Sequence, residues 1–125
     1  METDEDRVRA ALDVWAEAVR RADVDAVAAL HTADVVLFDV VPPMTVTGLD
    51  AYLEQWRLFW DAQGEGVFDL TRLTVVAGPD VAFAYGLLRV GAAGTEGFEV
   101  RLTVGLRLVE GRWLVVHEHH SVPAG

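Results

Sequence analysis

The second half of this chain constrains its fold more than any other feature. From about residue 66 to residue 121, apolar and polar residues alternate with period two, and turn signals divide the stretch into segments. Strands are expected over about 66–77, 80–91, 98–109 and 112–121, with breaks at Gly78-Pro79-Asp80, at Gly91 to Gly97 and at Glu110-Gly111. Helices can then lie only ahead of this meander. Thr3 or Asp4 can cap a first helix running to about Ala22, with Val8, Ala11, Leu12, Trp15, Ala18 and Val19 on one face. A short helix from Val24 to about His31 follows the break near Asp23. Residues 34–40, DVVLFDV, read as a strand ended by Pro42-Pro43, which cannot continue a ladder. Gly48 opens a third helix of about Leu49–Ala62, carrying Tyr52, Leu53, Trp56, Phe59 and Trp60, and Gly64 stops it. The order implies an α+β fold with helices packed on one face of an antiparallel sheet.

Composition narrows the function classes. A chain of 125 residues suits one domain, expected to span 1–125, and 52% hydrophobic residues allow a core with space left for a cavity. Net charge is −10 with no basic stripe, so neither nucleic acid nor anionic lipid is an expected partner. No window approaches 18 uninterrupted apolar residues, and METDEDRVRA lacks the basic-then-apolar pattern of a secretory signal. The absence of cysteine excludes disulfides and thiol chemistry, and a cytoplasmic location is expected.

Period two also assigns faces. Leu102, Val104, Leu106 and Leu108 share one side of their strand and are assigned to the interior. In the preceding strand Phe83, Tyr85, Leu87 and Arg89 alternate with Ala82, Ala84, Gly86 and Leu88, and Tyr85 and Arg89 are expected to project inward. The last strand satisfies either assignment: Leu114, Val116, Glu118 and His120, or Trp113, Val115, His117 and His119. If Leu114 and Val116 face inward, Glu118 and His120 do too, and Trp113 falls on the outer face as a candidate dimer contact.

Four stretches carry a family resemblance: RRADVDAVAALHTADVVLFD, VTGLDAYLEQWRLFW, DVAFAYGLLRV and RLTVGLRLVEGRWLVVHEHHSVP. Over about residues 6–123 the chain resembles a SnoaL-like domain of the nuclear transport factor 2 superfamily, which includes ketosteroid isomerase, polyketide cyclases and scytalone dehydratase. The resemblance implies a cone: a strongly curved antiparallel sheet wrapped around three N-terminal helices, with an internal pocket. It also implies a homodimer. Function does not follow from this fold, because the chemistry rests on a few side chains placed in the cone.

The resemblance singles out Asp39, which aligns with the catalytic base of ketosteroid isomerase. Facing an apolar cavity, its carboxyl would be pushed above ~3.9 by desolvation, unless Arg89 reached the same cavity and lowered it. The competing reading has Asp39 capping the bend before Pro42-Pro43 through backbone N–H groups. The isomerase's oxyanion donors have no counterparts: Trp15 stands at the tyrosine position and Val104 at the protonated aspartate. Classical steroid isomerase activity is therefore not expected. The candidate catalytic set is Asp39, Tyr85, Glu118 and His120, with Asp39 as general base, Tyr85 or His120 as donor to an oxyanion and Glu118 as second acid or base. Trp15, Trp56, Phe59, Leu87, Arg89, Val104, Leu106 and Val116 are the expected ligand-binding wall. His117 and His119, ~6.5 Å apart along a strand, could chelate zinc if a third ligand approached, but a structural role is favoured and no metal or cofactor is expected. The expected function is binding of a small apolar, cyclic or polyketide-like molecule, with cofactor-free isomerisation or cyclisation by proton transfer. A non-catalytic dimeric binding domain and, less favoured, an epoxide or ester hydrolase are the alternatives.

Overall fold

Thr3 starts the first helix with a reciprocal cap: its hydroxyl accepts from the Asp6 amide at 3.1 Å, and Asp6 accepts from the Thr3 amide at 3.0 Å. The computed structural model describes residues 1–64 and 66–124. Helix α1 (Asp4–Arg20) turns Val8, Leu12, Trp15, Ala16, Ala18 and Val19 into the core. Helix α2 (Val24–Ala29) is capped by Asp23, which accepts from the Ala26 amide at 3.1 Å. It ends before the point the periodicity suggests, because His31 already belongs to strand β1 (His31–Phe38). After β2 (Val46–Thr47), helix α3 (Leu49–Gln63) buries Tyr52, Leu53 and Trp56. The remaining strands, β3 (Val67–Ala77), β4 (Val81–Gly91), β5 (Phe98–Val109) and β6 (Arg112–Ser121), follow the expected meander closely.

The six strands form one curved, open sheet in the order β2-β1-β6-β5-β4-β3. All neighbours are antiparallel except β1 and β6, which run parallel with Leu37 beside Glu118 and Phe38 beside His119. That single parallel pairing sets the end of the first strand against the end of the last. The hairpin between β5 and β6 turns on Glu110 and Gly111, both at positive φ (49° and 80°), as a tight two-residue connection requires.

Register corrects two face assignments. Ala84 lies opposite Val104, and Gly86 opposite Leu102, so the small residues of β4 share the inner face with Val104 and Leu102. Ala82, Ala84, Leu88 and Val90 are buried, while Phe83 and Tyr85 are about half exposed, at 47% and 49%. Tyr85, Leu87 and Arg89 therefore lie on the outer face of the sheet, not the inner. In β6, Val115 pairs with Leu106 and His117 with Gly105, which leaves Val116 as an extra bulge residue. The bulge shifts the alternation by one. Trp113 and Val115 point inward before it, and Glu118 and His120 point inward after it. Trp113 is 5% exposed and belongs to the core, which removes it as an outer-face contact.

A second bulge sits in β3, where Arg72 has φ 53° and the register to β4 slips between Thr71 and Thr74. Gly86 permits it. A Cβ at Gly86 would lie 2.9 Å from the Thr71 carbonyl oxygen and 3.0 Å from that of Arg72, too close for any side chain.

Candidate active site

The parallel pairing of β1 with β6 brings Asp39, one residue beyond β1, beside His120 near the end of β6. His120 Nδ1 lies 3.4 Å from Asp39 Oδ1, and Nε2 lies 3.1 Å from Glu118 Oε1. Both ring nitrogens face carboxylate oxygens, so the imidazolium, a donor at both positions, is the form this geometry suits. Glu118 is entirely withdrawn from solvent. Its second oxygen, Oε2, meets His31 Nε2 at 2.7 Å and accepts from the Tyr52 hydroxyl at 2.6 Å. His31 Nδ1–H donates to the Val27 carbonyl at 2.7 Å, and Trp15 Nε1–H donates to the Tyr52 hydroxyl oxygen at 3.2 Å. Asp39 also accepts from the Val40 amide at 2.8 Å and from Gln55 Nε2 at 3.4 Å.

A chain of polar groups thus runs from the core to the end of the sheet: Trp15, Tyr52, Glu118, His120, Asp39, with His31 joined at Glu118. Burying a carboxylate is costly unless it is paired and hydrogen-bonded, and Glu118 has three partners. Burial pushes its carboxyl upward, but hydrogen bonds and charges from His120 and His31 outweigh this and hold it down at about 2. Burial likewise disfavours the charged form of His120, yet Asp39 and Glu118 raise it to about 9. Tyr52 is pushed well above the usual phenol value, by burial first and then by the Glu118 charge, so its hydroxyl keeps its proton. Asp39 departs from expectation. Burial raises its carboxyl, but His120, the Val40 amide and Gln55 together bring it below the usual value. Arg89 has no part in this. It contacts the Glu96 carbonyl oxygen at 3.2 Å and Glu99 at 3.7 Å on the outer face.

Asp39 and His120 border a cavity of about 330 Å³ between α3, the segment after β1, and the inner face of β3, β4 and β5. Its walls are largely apolar: Leu37, Trp56, Phe59, Phe68, Leu88, Val90 and Val100, with Gln55 and Gln63 as further polar groups. Val40, Val41, Leu58 and Phe98 form an exposed apolar rim. Of the expected wall residues, Trp56 and Phe59 line the cavity. Trp15, Val104 and Leu106 lie in the core instead, because the helices fill that part of the sheet's inner face. Val116 is displaced by the bulge. Of the expected catalytic set, Asp39, Glu118 and His120 come together, with Glu118 behind His120, and Tyr85 lies on the other side of the sheet.

Sequence reasoning missed His31, Tyr52 and Gln55. Tyr52 carried one available signal, a hydroxyl in the apolar stripe it shares with Leu53 and Trp56. His31 carried none, because its position depends on where α2 stops. His117 and His119 are structural as placed: Nδ1 of His117 donates to the Val36 carbonyl at 2.7 Å, and Phe38 packs edge-on against both rings. Among the described residues no group of three or more His, Cys, Asp or Glu side chains is arranged to hold a metal ion. Among the described helices none is long and apolar enough to cross a membrane.

Three helices held against a curved sheet, with a side cavity at one end of it, form the NTF2-like architecture. An NTF2-like protein of unknown function from Pseudomonas putida shares it with a TM-score of 0.89 at 35% identity, over 97% of this chain and 87% of that one. The chain matches the SnoaL-like domain family over residues 8–125 and belongs to that family. Two more distant structures share the fold. One is a candidate dehydratase of the NTF2-like family from Streptomyces avermitilis, with a TM-score of 0.86 at 20% identity over 98% and 97% of the chains. The other is a candidate ketosteroid isomerase from Parabacteroides distasonis, with a TM-score of 0.77 at 18% identity over 98% and 89%. Comparison with curated proteins finds no match.

Proposed function

We propose that this protein is a cofactor-free proton-transfer enzyme acting on a small apolar molecule, of the isomerase, cyclase or dehydratase kind. One observation carries the reading: His120, 8% exposed, is clamped between two carboxylates at the edge of an apolar cavity. A binding site for an apolar ligand has no need of a buried acid–base pair. In the proposed step, an Asp39 oxygen removes a proton from a carbon next to a carbonyl. The C–H electrons form a carbon–carbon double bond, and the carbonyl oxygen takes the Nδ1 proton of His120. In a substrate with a further double bond beside the enol, return of the Asp39 proton to the far carbon of the dienol, with the enol O–H proton going back to His120 Nδ1 as the carbonyl re-forms, completes an isomerisation. If a hydroxyl sits one carbon further on, the Nδ1 proton of His120 goes to that hydroxyl instead of to the carbonyl oxygen. The electrons left by the C–H bond form the new double bond as water departs, and the proton on Asp39 passes back to His120 Nδ1. Glu118 restores the imidazolium's hydrogen bonding on the far side and does not touch substrate. Two distant fold relatives are named for dehydratase and isomerase activity, chemistry of the same kind.

The test is solvent-deuterium exchange into a panel of small cyclic and aryl ketones, read by mass spectrometry. The wild type is expected to catalyse exchange, and both Asp39→Asn and His120→Gln to abolish it. Tight binding of the same ketones without exchange would instead favour a non-catalytic binding domain.

The outer sheet face supports a second proposal, homodimerisation. Phe83 and Tyr85 are half exposed there and stack with ring centroids 6.3 Å apart, with Val76 and Val81 exposed nearby. An apolar patch of that kind on a sheet whose other face is covered fits an interface between two copies.

A further inference from the structure

We propose that the cavity excludes anions: the end of a ligand that enters toward Asp39 and His120 is uncharged or cationic, and carboxylates or phosphates of the same shape are turned away. The inference rests on reading the cavity as the ligand site, and it narrows the substrate class. The chain has no lysine, and its ten basic residues are all arginine. Among the described residues no arginine lines the cavity. Arg89 is tied to Glu96 and Glu99 on the outer face, and Arg57 lies on the exposed side of α3 with Glu54 at 3.6 Å.

His120 is thus the one strong cation available to the cavity among those residues, and both its N–H groups already point at carboxylates. An entering anion would meet the Asp39 carboxylate before any uncommitted positive charge. A cation would meet Asp39 in a cavity lined by the rings of Trp56, Phe59 and Phe68, a class of side chain whose π-faces attract positive charge. A neutral carbonyl can share the His120 Nδ1 proton, because the 3.4 Å bond to Asp39 is long and easily surrendered.

Three matched probes separate the sign of charge from charge itself: 4-phenyl-2-butanone, 3-phenylpropanoate and 3-phenylpropylammonium, titrated calorimetrically at pH 7.5. The ketone and the ammonium are expected to bind at least about tenfold more tightly than the carboxylate, the scale of a like charge met at short range near a protein surface. Asp39→Asn should narrow that gap. Ala62→Arg places a cation on the cavity wall at an exposed helix position and should restore carboxylate binding without touching the acid–base pair. Equal affinity of carboxylate and ammonium, binding of none of the three, or a gap unchanged in both variants would overturn the proposal. Selectivity retained with no deuterium exchange into any ketone would overturn only the catalytic reading. Exchange retained with no selectivity would overturn only this one.

Discussion

His31 Nε2 and Glu118 Oε2 lie 2.7 Å apart, and neither side chain exposes any surface to solvent. They are 87 residues apart in the chain and meet because β1 lies parallel to β6. Two groups that favour water are held together in the core, so the stability of the protein and the chemistry of its cavity depend on the same contacts.

Removing Glu118 leaves His31 and His120 without their shared acceptor. Glu118→Ala is expected to lower stability by about 3–5 kcal/mol, the cost of breaking a buried ion pair from one side. The isosteric Glu118→Gln should cost less. Urea unfolding at pH 7 measures both, and a loss below about 1 kcal/mol for the alanine variant would contradict the network's role.

Tyr52→Phe removes only an oxygen that donates to Glu118 and accepts from Trp15. A hydrogen bond to a charged group contributes about 1.5–3 kcal/mol, and that loss is expected in the same assay. With one donor fewer, Glu118 should also take up a proton at higher pH, which moves the acid limb of unfolding toward neutrality.

Stability should fall on the alkaline side. His120 binds its proton more tightly in the folded state, at about 9 against 6.5, so its contribution is complete below about pH 6.5 and is lost as pH rises through about 9. The difference corresponds to at most about 3 kcal/mol. His120→Gln should flatten the urea midpoint over that window. Asp39 and Glu118 act in the opposite direction: both are held low, so their contribution is full above the ordinary carboxylate range and is lost as pH falls below that range and through their lowered folded values, about 2 for Glu118.

Asp39→Asn is expected to destabilise the protein at pH 7, by about 1 kcal/mol for a lost hydrogen-bonded partner of His120. The opposite sign would follow if Asp39 were a desolvated, unpaired base. Unfolding the two proteins at pH 7 and again at pH 4 distinguishes the cases, and the difference should shrink at the lower pH.

Dimerisation is tested by sedimentation at micromolar concentration. Phe83→Ser combined with Tyr85→Ser should convert a dimer to monomers without disturbing the cavity, since both side chains point away from it. A wild type that sediments only as a monomer would refute the interface.

Much of the fold was legible in local pattern. The strands end where Gly-Pro-Asp and Glu-Gly fall, and the third helix occupies Leu49–Gln63 as its aromatic stripe suggests. Asp39 was legible as a candidate through the family resemblance, and His120 as part of the polar run His117-Glu118-His119-His120 that ends the last strand.

What local pattern could not supply was phase and partnership. Period two predicts alternation but not its sign, and in β4 the larger aromatic side chains invited an inward assignment that the pairing of Ala84 with Val104 reverses. In β6 the bulge at Val116 changes phase midway, so each consistent reading of the strand was right for only half of it. Tertiary structure decided the chemistry by setting His31, Tyr52, Glu118 and His120 within hydrogen-bonding distance. A pKa depends on what lies within a few ångströms, and those neighbours come from α3, β1 and β6, segments that share no local sequence. The sequence alone determined the elements and the ionisable side chains they carry. Whether Asp39 would be raised by burial or lowered by a partner was settled by the packing that gave it His120 instead of Arg89.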